Sequence, residues 1–223
     1  MPTIVFANPK GGAGKSTAAL LLATELALET DVCVVDADVR RRIAKWAAGG
    51  NAPARMTVVD DVDEETVIDR IDEAAGAAPV VIVDLEGTAS KLVLLAISQA
   101  DLVVIPLQDS APDAEEAAAV IRVIRQQERM SGRKVPYVVV RTRTPAAYRS
   151  RLMTYVLAQL QPTGARILET EIVERQAFKA LWVYQCPLEN LPSAEVSGTS
   201  NAIKNARAYA QEVVQALRGV ATA

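Results

Sequence analysis

Histidine is absent from the sequence. Every catalytic triad, zinc site or acid–base scheme built on imidazole is thereby excluded, so any chemistry has to rest on lysines, carboxylates, hydroxyls and a metal ion. Cysteine is nearly as scarce. Cys33 lies in an apolar run and Cys186 beside Pro187, which supplies no close-spaced metal or cluster pair and no disulfide framework. Both read as packing residues. Half of the 223 residues are hydrophobic, yet no uninterrupted apolar run approaches the ~18 residues that cross a bilayer. Nor does a basic segment, apolar stretch and cleavage site open the chain, so a cytoplasmic protein is expected. An excess of either charge is missing as well. The net charge of −3 argues against a protein that coats itself in nucleic acid. A chain of this length can bury a sizeable core, and one domain over residues 1–223 is the expectation.

What is present begins with a loop. The apolar stretch Thr3-Ile4-Val5-Phe6-Ala7 suits a buried strand, Asn-Pro-Lys-Gly-Gly-Ala-Gly-Lys-Ser-Thr follows at positions 8–17, and a helical pattern then runs from Ala18 to Leu28. A phosphate chain needs inward-pointing N–H groups, which glycines at 11, 12 and 14 allow the backbone to present. A helix beginning near Ser16 adds the positive end of its dipole. Lys15 can then place its charge on the outer phosphates, with the Ser16 hydroxyl set to bind magnesium. The loop departs from the plain phosphate-binding pattern in having Pro9, then Lys10, where a glycine is usual.

Lys-Gly-Gly-Ala-Gly-Lys-Ser-Thr resembles the deviant Walker A motif of the ParA/MinD ATPases, in the short ParA type without a preceding helix-turn-helix. The resemblance implies nucleotide binding by Lys10, Gly11, Gly12, Ala13, Gly14, Lys15, Ser16 and Thr17. It also implies a catalytic role for Lys10, which would reach the phosphates held by a second subunit, and for Lys15. Two further strands end in carboxylates. Val32–Val35 runs into Asp36-Ala37-Asp38, at the strand end where open α/β sheets bind ligands. A simple turn cap is the plainer alternative. In the resemblance the second aspartate, Asp38, orients the attacking water, and Asp36 joins Ser16 and Asp84 around magnesium. The family's Pro-Gln after this motif is replaced by Val39-Arg40-Arg41-Arg42. Asp84 ends Val80–Val83, which looks like a Walker B strand, and is followed by Leu85-Glu86-Gly87 in place of the family's proline-containing sequence. Glu86 reads more readily as exposed than as a second acid near the nucleotide.

Strands and helices alternate through the rest of the chain. Helices are expected over Leu92–Ile97, Ala114–Met130, Ala146–Leu160 and Asn201–Leu217, with strands over Leu102–Pro106, Val135–Val140 and near Ile167. This order predicts an α/β fold, a doubly wound, mostly parallel sheet with helices on both faces. Residues 60–73 carry eight acids against Arg70 alone, with Val67, Ile68 and Ile71 as a narrow apolar stripe, and read as a solvated surface helix. From Arg122 to Arg151 the balance inverts to nine bases and one acid. Arg122, Arg125 and Arg129 share a helix face, and with Arg149 and Arg151 they are candidates for contacting DNA phosphates without reading bases. A solvated face with internal ion pairs is the competing reading. Arg141 and Arg143 are set apart, at the position from which the family approaches the nucleotide base.

The resemblance therefore implies an ATP- and magnesium-dependent switch ATPase of weak, partner-stimulated turnover. It would dimerise on ATP, bind nonspecific DNA in that state, associate with the nucleoid and answer to a ParB-like or other adaptor. Its role would be DNA partition or cargo positioning. An accessory role in conjugative DNA transfer, or a metabolic synthetase on the same scaffold, stays open. The alanine-rich last helix lacks the basic, bulky face of a membrane anchor, so no membrane partner is expected.

Overall fold

A computed structural model describes residues 1–87, 90–145 and 151–221. In chain order the elements are β1 (Thr3–Phe6), α1 (Lys15–Leu26), β2 (Val32–Ala37), α2 (Arg42–Ala47), β3 (Met56–Val59) and α3 (Val67–Ala77). They continue through β4 (Val80–Leu85), α4 (Lys91–Gln99), β5 (Leu102–Leu107), α5 (Ala111–Ser131), β6 (Tyr137–Thr144) and α6 (Arg151–Leu160). β7 (Arg166–Ile167), β8 (Ile172–Val173), α7 (Gln176–Tyr184) and α8 (Thr199–Ala221) complete the chain. The strands pair in the order β3-β2-β4-β1-β5-β6-β7, with β8 also on β6, and every pairing is parallel. The expected doubly wound parallel sheet is what forms.

The strands read as continuous apolar runs because both faces of the sheet are covered. Their alternate side chains feed two separate cores. Ile4, Phe6, Val34, Ile82 and Val104 pack on one face with α1, α2, α7 and α8. Val5, Val35, Val83, Val103 and Val139 pack on the other with α3, α4, α5 and α6. Trp46 is fully buried, and its Nε1 donates to the Leu181 carbonyl at 2.8 Å, tying α2 to α7. Both cysteines are free and buried, as packing residues should be.

Some boundaries move for local reasons. The acidic segment is helical only from Val67, because the Asp63 carboxylate accepts from the backbone N–H groups of Glu65 and Thr66, both at 2.9 Å, and holds a turn before it. Val67 and Ile71 sit in the core while most of the acids face water. α1 begins at Lys15, next to the expected start near Ser16, whereas α2 and β3 were not anticipated, each being only four to six residues long. Residues 146–150 of the helix expected from Ala146 lie outside the described residues. Among the described residues no helix is long and apolar enough to cross a membrane.

Candidate functional site

The glycine-rich loop of residues 8–14 joins β1 to α1 at the carboxyl edge of the sheet, between β4 and β5. Several contacts hold it before any ligand arrives. Asn8 bridges outward, its Nδ2 donating to the Pro106 carbonyl at 2.6 Å while its Oδ1 accepts from the Lys10 N–H at 2.8 Å. Thr142 Oγ1 on β6 donates to the Ala13 carbonyl at 2.7 Å, and Gln108 Nε2 donates to that of Gly12, also at 2.7 Å. Gly14 caps α1 with φ 97°, a conformation suited to glycine, and a β-carbon there would press on Thr142 at 3.1 Å. Gly11, Gly12, Gly14, Lys15, Ser16 and Thr17 line a cleft together with Asp38. Ala13 turns inward and is buried, contributing a braced backbone and no surface of the cleft.

The two loop lysines differ sharply. Lys15 is buried, its Nζ donating to the carbonyls of Asn8 at 2.8 Å and Lys10 at 3.3 Å. Burial lowers its pKa, and the charges of Asp84 and Asp38 oppose that shift. Lys10 points away from its own cleft. Its Nζ forms a 2.6 Å ion pair with Asp113, whose side chain is fully buried in the first turn of α5 and also accepts from the Ser110 hydroxyl. Asp113 Oδ1 has no hydrogen-bond partner among the described residues.

Three aspartates arrive where the strands end. Asp84 is fully buried, with neither carboxylate oxygen hydrogen-bonded among the described residues. Burial pushes its pKa up to about 7, against the pull of the neighbouring Ser16 hydroxyl and of Lys15, while Asp36 adds to the rise. An unmet carboxylate beside a hydroxyl fits a hard divalent cation, which takes few protein ligands and completes its shell with water and phosphate oxygens. Asp36 is engaged otherwise. It accepts from the Ala44 N–H at 2.9 Å and the Asp38 N–H at 3.3 Å, and burial raises its pKa. Its visible work is to fold the segment that presents Asp38 to the cleft.

Residues 4–184 match the family described as the CobQ/CobB/MinD/ParA nucleotide binding domain. The chain belongs to this family. It is 40% identical to Protein ParA of Rhizobium radiobacter over 97% of this chain and 98% of that one. Protein virC1 of Rhizobium rhizogenes is 27% identical, covering 81% and 80% of the two chains. Among solved structures, the ATP complex of an McdA variant from Cyanothece superposes with a TM-score of 0.75 at 16% identity, covering 96% of both chains. ParA/MinD proteins are nucleotide-binding ATPases, and the observed sheet and loop are theirs.

Several residues of this ParA-type site were not singled out for it in the sequence. Glu86, expected more readily as an exposed residue, is instead half-buried and lines the cleft with Gly87, Arg40 and Arg42, because the chain turns back over the glycine loop directly after β4. Gly87 lies so close to the loop that a β-carbon would come within 3.0 Å of the Pro9 carbonyl oxygen. The only sequence signal for either was position, just after the Walker B carboxylate. Asp113 had a clearer one, the Ser-x-x-Asp pattern at the head of a helix.

The basic stretch divides. Arg141 is buried between Asp109, at 3.7 Å, and Glu171. Arg143 lines the cleft. Arg133 donates to the Ser98 and Ala100 carbonyls at 2.8 Å and pairs with Asp101 at 3.0 Å, closing the α4–β5 corner. Arg122, Arg125 and Arg129 do share the exposed side of α5, although Arg125 also donates to the Thr163 carbonyl at 2.6 Å. Arg149 lies outside the described residues, and for Arg151, the first residue of α6, only the backbone is described.

Proposed function

We propose that the chain is an ATP-driven switch that dimerises around its nucleotide and binds DNA nonspecifically in that state. One observation carries the reading: Lys15 is committed to its own phosphate loop, while Lys10, in the same loop, is turned out of the cleft and held by Asp113. A second lysine with no role in its own cleft is suited to the phosphates of another subunit. In the proposed cycle ATP lies across Gly11 to Thr17, and Ser16 and Asp84 hold magnesium, which offsets phosphate charge. Lys10 leaves Asp113 to cross the interface. Asp38 orients water for attack, and hydrolysis returns the monomer. Turnover is slow without an adaptor of the ParB kind, and Arg122, Arg125 and Arg129 contribute to a phosphate-contacting face that the dimer doubles.

The deciding experiment records molecular mass and binding to a random-sequence duplex at two salt concentrations, with ADP, ATP or a slowly hydrolysed analogue. ATP-specific dimers whose DNA binding falls with salt support the reading. Nucleotide that alters neither mass nor DNA affinity overturns it.

A further inference from the structure

Three guanidinium groups, those of Arg40, Arg42 and Arg143, border the phosphate cleft. None of them makes an ion pair or side-chain hydrogen bond among the described residues. Other arginines nearby are engaged, Arg41 with Asp60 at 3.5 Å and Arg141 with Asp109 and Glu171. Lys15 and these three exposed guanidiniums face two lining carboxylates, Asp38 and Glu86, so the cleft wall is net positive and suits an anion.

Arg42 is the best placed of the three. It stands four residues after Asp38 and opens α2, and its stem is fixed on both sides. The preceding Arg41 turns the chain with φ 47°, the following Ile43 is fully buried, and the Ala44 N–H is anchored on Asp36. Arg42 lines the cleft together with Lys15 and Ser16, and it belongs to the segment, anchored on Asp36, that also brings Asp38 there. Arg143 lines the cleft from β6, next to the Thr142 that braces Gly14.

We propose that Arg42 is a catalytic arginine supplied from within the subunit, its guanidinium gripping the outer phosphate of ATP and stabilising the charge that grows there during hydrolysis. The proposal rests on the ATPase reading. In that step the water oxygen bonds to the outer phosphorus. The bond from that phosphorus to the bridging oxygen breaks with its electron pair leaving on ADP, and the proton of the water passes to the released phosphate or to solvent. A planar guanidinium can hold two phosphate oxygens at once, which an ammonium cannot. Arginines so placed in other phosphoryl-transfer enzymes raise turnover by about 10³–10⁵.

The test uses the full chain with Arg42→Ala, Arg42→Lys and, as a charge control, Lys45→Ala, an exposed lysine on the same short helix and outside the cleft. Thermal melting reports the fold. Affinity for ADP is compared with and without aluminium fluoride, which mimics the phosphoryl group in flight, and single-turnover hydrolysis is measured alongside. For Arg42→Ala, ADP affinity should stay within about threefold while turnover falls at least about 10²-fold, the lower range for losing one transition-state contact. The tightening by fluoride should fall at least about tenfold, the equivalent of ~1.4 kcal/mol. Arg42→Lys should recover little, and Lys45→Ala should match the wild type. Unchanged fluoride tightening and turnover in Arg42→Ala would overturn the proposal, and so would equal losses of ADP and fluoride-complex affinity. A wild-type chain that neither hydrolyses ATP nor tightens with fluoride sinks the ATPase reading itself, and the proposal with it.

Discussion

The carboxyl edge of the sheet and the outer side of α5 are both rich in charge, and they treat it in opposite ways. At the edge, buried carboxylate oxygens have no hydrogen-bond partner among the described residues, both of Asp84 and one of Asp113, while the guanidiniums of Arg40, Arg42 and Arg143 border the same cleft exposed to solvent. On and beyond α5, arginines satisfy carbonyls of their own fold, Arg125 at Thr163 and Arg133 at Ser98 and Ala100. A buried charge without a partner is costly to maintain, so its presence points to a ligand. An exposed arginine costs little whether or not anything binds. The edge therefore supports a specific chemical reading, and α5 supports at most a general electrostatic one.

That contrast can be broken most directly at Lys15. Lys15→Ala should abolish nucleotide binding in a titration with a fluorescent ATP analogue, a loss of at least about 10²-fold for a charge-assisted contact in a buried site. Retained affinity would mean that the edge is not arranged for phosphate. Asp38→Ala should keep ATP affinity yet slow hydrolysis by about 10²–10³, so that ATP dimers accumulate in light scattering. Fast turnover would remove Asp38 from the mechanism.

Lys10 and Asp113 form a sharper probe, because their pair can be broken from either side. Lys10→Ala should bind ATP but remain monomeric, and it should lose about 1–3 kcal/mol of stability, since it strands a buried carboxylate beside a half-exposed partner. Adding Asp113→Asn should restore most of that stability without restoring the dimer. Denaturant unfolding of both proteins measures the first claim, and a Lys10→Ala chain that dimerised on ATP would sink the second. Thr142→Val should cost about 1 kcal/mol, one net hydrogen bond, and loosen ATP binding a few-fold by freeing the Ala13 carbonyl. On α5, Arg122→Ala should lower DNA affinity modestly and reduce the salt slope by about 1. No change in slope would leave that face an ordinary surface.

Much of the edge was legible because its chemistry is local in sequence. Lys10 through Thr17 are consecutive, and Asp38 and Asp84 follow apolar runs whose ends a parallel sheet must bring to one side. Partners supplied by distant elements were not legible. Asp113 is 103 residues from Lys10, and Thr142 is 129 residues from Ala13. The sequence set Arg141 and Arg143 apart as a pair, yet strand geometry sent Arg141 inward to Asp109 and Glu171 while Arg143 lined the cleft. Glu86 shows the same limit, because a residue beyond the last buried strand position has no periodic pattern to reveal where it points.

By itself the sequence determined the sheet, the phosphate loop and the two lysines within it, since apolar runs buried on both faces and glycines before a helix have few other ways to fold. Only the tertiary structure decided which charges are paired and which stand open. Pairing depends on strand order and on loops meeting at the sheet's edge, and that placed Lys10 on Asp113, left Asp84 without a hydrogen-bond partner among the described residues and set Arg42 on the cleft that Lys15 lines.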